Sequence, residues 1–262
     1  MNDKRRFQNI FKADGRSLIV AMDHGSGFDV YPALSNPAAV IESVVQGGAD
    51  ALLSTIGLIK RFHVEMGTAG VLLRMDGGGS QLSESPGFEL LHNVEDAIRV
   101  GADGVVCMGF PGTSLETQTL SNIAALAGQC QNWGIPLMAE MLPGGFTNMD
   151  LHTAEHIRLA ARIGVELGAD FIKTEFTGSG ETFRTVVDNC YQPILILGGS
   201  KLDDERALFS MVKSAMDAGG AGAVIGRNIW GHQNPRGLVE ALSQIIHGNA
   251  SIDEAVHVLN AR

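Results

Sequence analysis

Gly168-Ala169-Asp170-Phe171-Ile172-Lys173-Thr174 decides the fold, because the chain uses its first three residues again at Gly48-Ala49-Asp50 and Gly101-Ala102-Asp103. Each time the triplet stands between a helix-like segment and a short apolar run. A relaxed form appears at Gly219-Gly220-Ala221-Gly222. The glycine suits a helix C-terminus, where it enters the left-handed conformation cheaply. The run that follows is apolar on both faces, as a parallel strand covered on both sides requires. Eight such runs occur, at 18–23, 51–55, 71–76, 104–108, 136–141, 171–174, 194–198 and 223–226. Helical patterns separate them at 37–46, 59–66, 88–100, 114–133, 153–167, 180–189, 203–218 and 236–247. A short extra helix at 253–259 ends the chain. Strict alternation of strand and helix predicts an α/β protein with a parallel (β/α)8 TIM barrel, in preference to an open sheet. The 262 residues match the size of one such barrel, about 250 residues. No Pro/Ser-rich linker or low-complexity stretch interrupts them, so residues 1–262 read as a single domain. A doubly wound dinucleotide-binding sheet would place Gly-x-Gly-x-x-Gly directly after an early strand. The first strand ends Asp23-His24-Gly25-Ser26-Gly27 instead, and Gly77-Gly78-Gly79 lacks the spacing.

Composition narrows the function. The chain is 45% hydrophobic and 18% charged, an ordinary globular balance, with a net charge of −10. That acidity argues against nucleic acid or an anionic membrane as a partner, and Lys4-Arg5-Arg6 is too short to reverse it. No apolar run approaches the roughly 18 residues that span a membrane. Residues 1–11 are polar and basic with no apolar stretch behind them, unlike a secretory signal. Cys107, Cys130 and Cys190 are odd in number and widely spaced. They read as reduced thiols of a cytoplasmic protein, Cys107 packed in a strand. No Cys/His cluster has zinc spacing, so no metal is expected.

Lys173 stands out among the six lysines. Five lie in polar, helical or loop-like surroundings, and Lys173 alone sits inside an apolar strand. Lysine is almost never fully buried without a partner or a purpose. Burial disfavours its charged form, and a neutral amine is what Schiff-base chemistry needs. The bland reading is an ion pair with Glu175, two residues on and on the same strand face.

In a TIM barrel the site lies at the C-terminal ends of the strands. Those ends offer Asp23 and His24, Arg74 and Asp76, Glu140, Lys173 and Glu175, Gly198-Gly199-Ser200, and Gly226-Arg227-Asn228. The last two stand on the seventh and eighth strands, where barrels most often hold a phosphate. Glycines let an anion approach backbone N–H groups, and Arg227 supplies a bidentate clamp. Plain loop glycine is the alternative in a chain with 33 glycines. Asp23 either caps the following loop or faces Lys173 across the barrel, holding the amine and shuttling its protons. His24 either makes a structural hydrogen bond or touches substrate. Glu140 and Glu175, on adjacent strands, either perform acid–base work or neutralise Lys173 or Arg74. The other histidines read as surface or packing residues.

Four motifs in barrel order carry a family resemblance. Met22-Asp23-His24-Gly25, Ile172-Lys173-Thr174, Gly198-Gly199-Ser200-Lys201 and Gly226-Arg227-Asn228 resemble the class I aldolases of the DeoC/archaeal fructose-bisphosphate aldolase group, often called DhnA-type. That group includes 2-amino-3,7-dideoxy-threo-hept-6-ulosonate synthase and a thiolase-like enzyme acting on phosphorylated autoinducer-2. The resemblance runs from about Phe7 to the last helix. It implies a Schiff base between Lys173 and a ketose phosphate or dihydroxyacetone phosphate, with Asp23 assisting proton transfer. It implies phosphate binding at Gly199/Ser200 and Gly226/Arg227, no metal and no cofactor, the iminium being the electron sink. It also implies a homo-oligomer, a decamer of two pentameric rings.

One departure matters. In that group the fifth strand usually ends in an aromatic-Pro-Arg-Gly pattern whose tyrosine handles the proton at the carbon–carbon bond. Here the strand reads Ala139-Glu140-Met141-Leu142-Pro143-Gly144-Gly145, with Leu142 for the tyrosine and Gly144 for the arginine. Leucine transfers no proton. Either Glu140, two residues earlier on the same face, takes that role, or the reaction differs from simple aldol cleavage. Glu175 stands where many members have an aromatic residue, which implies a reshaped pocket. Loss of the arginine weakens a second phosphate site and disfavours fructose 1,6-bisphosphate. The expected function is therefore class I aldol cleavage or formation on a phosphorylated ketose. A transaldolase- or thiolase-like transfer is the alternative within this chemistry. A phosphate-binding isomerase or epimerase using Glu140 or Asp23, or a non-catalytic sugar-phosphate binder, is the alternative outside it.

Overall fold

The computed structural model describes residues 4–26, 30–80, 82–83, 87–199, 202 and 204–261. A short helix α1 (Phe7–Ile10) leads into β1 (Ser17–Ala21), α2 (Pro37–Gln46), β2 (Ala51–Ser54), α3 (Ile56–Phe62) and β3 (Gly70–Arg74). A hairpin of β4 (Asp76–Gly78) and β5 (Phe88–Leu90) follows, then α4 (Val94–Arg99), β6 (Gly104–Gly109), α5 (Glu116–Trp133) and β7 (Leu137–Met141). The chain continues through α6 (Ala154–Glu166), β8 (Phe171–Thr174), α7 (Gly180–Asp188), β9 (Ile194–Leu197), α8 (Glu205–Asp217) and β10 (Gly222–Ile225). It ends with α9 (Arg227–Trp230), α10 (Pro235–Ile246) and α11 (Ile252–Asn260). Eight parallel strands close into a barrel in the order β1-β2-β3-β6-β7-β8-β9-β10. The expected TIM barrel is the fold, and each of the eight expected runs contributes one strand.

Two local expectations are corrected. The helix expected over 88–100 divides: Phe88–Leu90 pairs antiparallel with Asp76–Gly78, and α4 starts only after Asn93. Asn93 caps that helix reciprocally with Asp96, a strong local start signal that overrides the apolar residues before it. The N-terminal segment is also not merely polar. Ile10 and Phe11 are buried. Phe7 stacks on Phe11 at 4.3 Å, and both rings meet Phe171 edge-on at 5.7 and 5.2 Å. These rings close the bottom of the barrel.

The repeated Gly-Ala-Asp triplet acquires a mechanical meaning. Gly48, Gly101 and Gly168 all have positive φ, at 91°, 76° and 99°, ending a helix as the sequence predicts. Each aspartate then clamps the bottom of the preceding strand. Asp50 accepts the Leu18 N–H at 2.7 Å and donates its own N–H to the Leu18 carbonyl at 2.9 Å. Asp103 does the same to Val71 at 3.0 and 2.7 Å, and Asp170 to Leu137 at 2.7 and 2.9 Å. A strand-start N–H buried under loops needs a partner, and a carboxylate is a strong one. The N-terminal segment crosses all three clamps: Lys4 reaches Asp170 at 2.7 Å, Asn9 reaches Asp103 at 2.7 Å and Lys12 reaches Asp50 at 3.3 Å.

His247 reinforces the same floor. Its Nδ1 lies 2.7 Å from Asp14 and its Nε2 2.9 Å from Asp50. The Asp50 bond foremost, with that to Asp14 and against the effect of burial, raises the imidazole above its ordinary 6.5. A raised histidine contributes stability that is fully present below 6.5 and lost as the pH climbs through the raised value. The gap in melting temperature between the wild type and His247→Gln is therefore expected to narrow with rising pH across that window. A gap that widens, read by thermal denaturation, contradicts this account.

Candidate active site

Period-two alternation along the strands builds the site. Ala21, Leu72, Val106, Met138, Phe171, Leu195 and Val224 belong to the buried cluster inside the barrel. Two residues further on, toward the mouth, the same faces carry Asp23, Arg74, Met108, Glu140, Lys173, Leu197 and Gly226. The barrel is thus filled with hydrocarbon below and charge above.

Lys173 and Glu140 are register partners on β8 and β7, with Lys173 Nζ 2.5 Å from Glu140 Oε1. The other Glu140 oxygen accepts from Arg74. Arg74 also donates from Nε to Asp23 at 2.8 Å and lies 3.4 Å from Asp76. The second Asp76 oxygen accepts the Met108 N–H at 2.6 Å. Two cations and three carboxylates therefore form one buried array, in which Lys173, Glu140 and Arg74 are each less than a tenth exposed.

The carboxylates differ in kind. Burial pushes Glu140 up, but Lys173 and Arg74 together outweigh it and hold the carboxyl below its ordinary 4.5. Asp23 behaves alike: burial raises it, and Arg74 and Lys173 bring it below 3.8. For Asp76 burial wins over Arg74 and the Met108 N–H, and the carboxyl rises. Arg74 moves well above its ordinary value: burial opposes its charge, and Asp23, Glu140 and Asp76 more than compensate. Glu140 and Asp23 are therefore held ionised at neutral pH.

The expected residues sort clearly. The partner of Lys173 is Glu140, and Glu175 instead lies 2.6 Å from His152 Nδ1. Asp23 stands at the mouth, held by Arg74. His24 packs edge-on to Trp230 at 5.4 Å and Tyr31 at 6.0 Å, and burial, against Asp23, pushes its imidazole below 6.5. Gly226 makes that packing possible: a Cβ there would lie 2.6 Å from His24 Cε1 and 2.8 Å from the Ala21 carbonyl. A Cβ on Gly198 would lie 2.8 Å from Ile225. Gly199 has a φ of 64° with open space around it, and its carbonyl accepts from Arg227 at 3.0 Å. Ser200 lies outside the described residues. Sequence reading brought Arg74 and Asp76 to the mouth without a role; the alternation Arg74-Met75-Asp76 is the signal that both face one way.

The loop after β7 explains the departure at residue 144. Gly144 has a φ of 79°, and a Cβ there would lie 2.2 Å from the Asn148 carbonyl oxygen. No side chain fits in this loop as it runs. Leu142 is buried with Met108 and Phe110. Among the described residues no group of three or more His, Cys, Asp and Glu is placed to hold a metal ion, and no helix is long and apolar enough to cross a membrane.

The mouth of this parallel barrel thus buries a lysine against a carboxylate. The family model of the DeoC/LacD family aldolases matches residues 17–232. An uncharacterized aldolase of Saccharolobus solfataricus is 32% identical over 257 residues, covering 94% of each chain. The 2-amino-3,7-dideoxy-D-threo-hept-6-ulosonate synthase of Halobacterium salinarum is 33% identical over 248 residues, covering 95% of this chain and 93% of its own. A solved Schiff-base-forming fructose-1,6-bisphosphate aldolase superposes with a TM-score of 0.85 at 27% identity, over 93% of this chain and 99% of its own. An archaeal fructose-1,6-bisphosphate aldolase, solved with its catalytic lysine covalently bound to the carbinolamine intermediate, gives 0.84 at 26% identity, over 93% and 98%. The chain belongs to the DeoC/LacD aldolase family, as its four motifs imply.

Proposed function

We propose that the protein is a class I aldolase that cleaves or forms a carbon–carbon bond in a phosphorylated ketose, with Lys173 as nucleophile and Glu140 as its acid–base partner. The observation that carries this reading is the Lys173–Glu140 contact of 2.5 Å, buried at the mouth directly above the barrel's apolar interior. Glu140 takes a proton from the Lys173 ammonium. The free amine attacks the ketone carbon, and the carbinolamine hydroxyl takes back the proton from Glu140 and leaves as water, giving an iminium and the Glu140 carboxylate. A carboxylate then takes the hydroxyl proton beyond the scissile bond. That bond breaks, an aldehyde leaves, and its electron pair passes into the iminium to give an enamine. Protonation of the enamine and hydrolysis return the ketone and the amine. Glu140 fills the role left open by Leu142, because it projects to the same side one step deeper and is held ionised. Asp23 assists proton transfer at the carbinolamine, and Arg74 fixes Asp23 and Glu140 around the amine.

The phosphate belongs at the ends of β9 and β10. Gly199 leaves its backbone open there, and Arg227 projects over it from the next strand end. The homo-oligomeric assembly and cytoplasmic location expected from the resemblance and the thiols are part of the same proposal.

Enamine formation can be read without an acceptor. Dihydroxyacetone phosphate in deuterated water is expected to take up deuterium at the carbon next to its carbonyl, followed by NMR, with no glyceraldehyde 3-phosphate formed. No exchange with any 2-ketose phosphate, or exchange accompanied by isomerisation, contradicts the proposal.

A further inference from the structure

We propose that the part of the substrate released as aldehyde is uncharged and apolar, an alkyl or aryl chain in place of a second phosphate. The inference rests on the Schiff-base reading of Lys173 and names what lies on the far side of the scissile bond.

The barrel order supplies the geometry. β10 and β6 are four strands apart in either direction around the eight-stranded barrel, so their ends face each other across the mouth. β8, carrying Lys173, lies two strands from each. A substrate attached to Lys173 with its phosphate at Arg227 therefore sends its other end toward β6 and β7. Beyond Glu140 those strand ends are hydrocarbon. Met108, Phe110 and Leu142 form one buried cluster there, and the partly buried Phe88, Leu115 and Leu197 packed against it give its accessible side. Met108 is the register partner of Glu140, and Leu142 lies two residues beyond Glu140, so the cluster sits directly beside the charged array. Phe110 meets Phe88 edge-on at 4.8 Å and Phe146 at 5.4 Å, extending an aromatic wall outward to the half-exposed Phe146 ring.

Charge points the same way. The inward cations on this side, Arg74 and Lys173, are already held by carboxylates. A second phosphate would enter a mouth that carries Asp23, Asp76 and Glu140, with Glu175 beside it. Gly144 gives no replacement cation, and its backbone admits no side chain. A dianion here loses hydration without gaining a cationic partner among the described residues, whereas an alkyl chain gains about fourfold in affinity for each buried methylene.

The test separates the tail from the chemistry by using Lys173→Ala, which cannot form an imine. Its equilibrium binding is compared between fructose 1,6-bisphosphate and 2-ketose 1-phosphates ending in alkyl chains of increasing length. The alkyl ligands are expected to bind at least tenfold tighter than the bisphosphate, improving with length until the wall is filled. Leu142→Thr is expected to remove most of that length dependence. Leu142→Arg, where it folds, is expected to shift the preference toward the bisphosphate. Tighter binding of the bisphosphate, affinity independent of chain length, or no effect of Leu142→Thr overturns the proposal. Borohydride trapping of the wild type with dihydroxyacetone phosphate runs alongside. Its failure strikes the Schiff-base reading, while the binding series still decides the tail.

Discussion

Lys173→Arg is expected to fold like the wild type and to lose turnover by about 10⁴-fold or more, the scale on which removal of a nucleophile acts. Arginine keeps the positive charge that Glu140 and Asp23 face, so the buried array retains its balance. It cannot give up its proton within the range of protein pKa values and so forms no imine. The variant thus separates charge from nucleophilicity. Circular dichroism and thermal unfolding would show an intact barrel, and steady-state kinetics would show the loss. Substantial turnover by this variant would sink the Schiff-base mechanism while leaving the fold assignment untouched.

Glu140→Gln has the second largest expected effect, and it acts on two observables. As acid–base partner, Glu140 is expected to contribute about 10²–10⁴-fold to kcat, with KM changed only a few-fold. As the common acceptor for Lys173 and Arg74, it is expected to cost about 3 kcal/mol of stability when its charge is removed, the low end for breaking a buried ion pair because the amide still accepts hydrogen bonds. An unchanged kcat in a folded variant moves the proton-transfer role elsewhere, to Asp23 first. The pH dependence has a definite sign. Glu140 and Asp23 are held below 4.5 and 3.8, so their contribution to stability is present above those values and is lost as the pH falls through the lower ones. Asp76 works in the opposite sense, since its raised carboxyl favours the folded state less as the pH climbs from 3.8 through the raised value.

The barrel was legible because its signals are local and repeated. Gly-Ala-Asp marks a helix end, a turn and a strand start within a few residues, three times over. Period-two alternation places Lys173 on a face that begins in the barrel's apolar core, but the sequence alone leaves open whether Glu140 points inward, and only its contacts with Lys173 and Arg74 answer that. What the sequence left open were contacts made over long separations. Glu175 lies close to Lys173 in sequence and on its face, yet His152 takes it from a loop that no periodicity orients. Asp23 finds Arg74 rather than Lys173 because β3 lies between β1 and β7 around the wall, and its guanidinium spans both carboxylates. The floor was missed for another reason: Phe7, Ile10 and Phe11 are too few for an amphipathic signature, and their burial depends on the closed ring of strands they plug. Residues 88–90 resemble helix in sequence because an apolar start beside a well-capped helix looks like its first turn.

The central claim is a covalent bond to one lysine. Intact-mass measurement and peptide mapping after borohydride reduction with dihydroxyacetone phosphate test it most directly. The account predicts one stable adduct per chain, on Lys173, absent from Lys173→Arg. An adduct on another lysine, or none with any ketose phosphate, would contradict it.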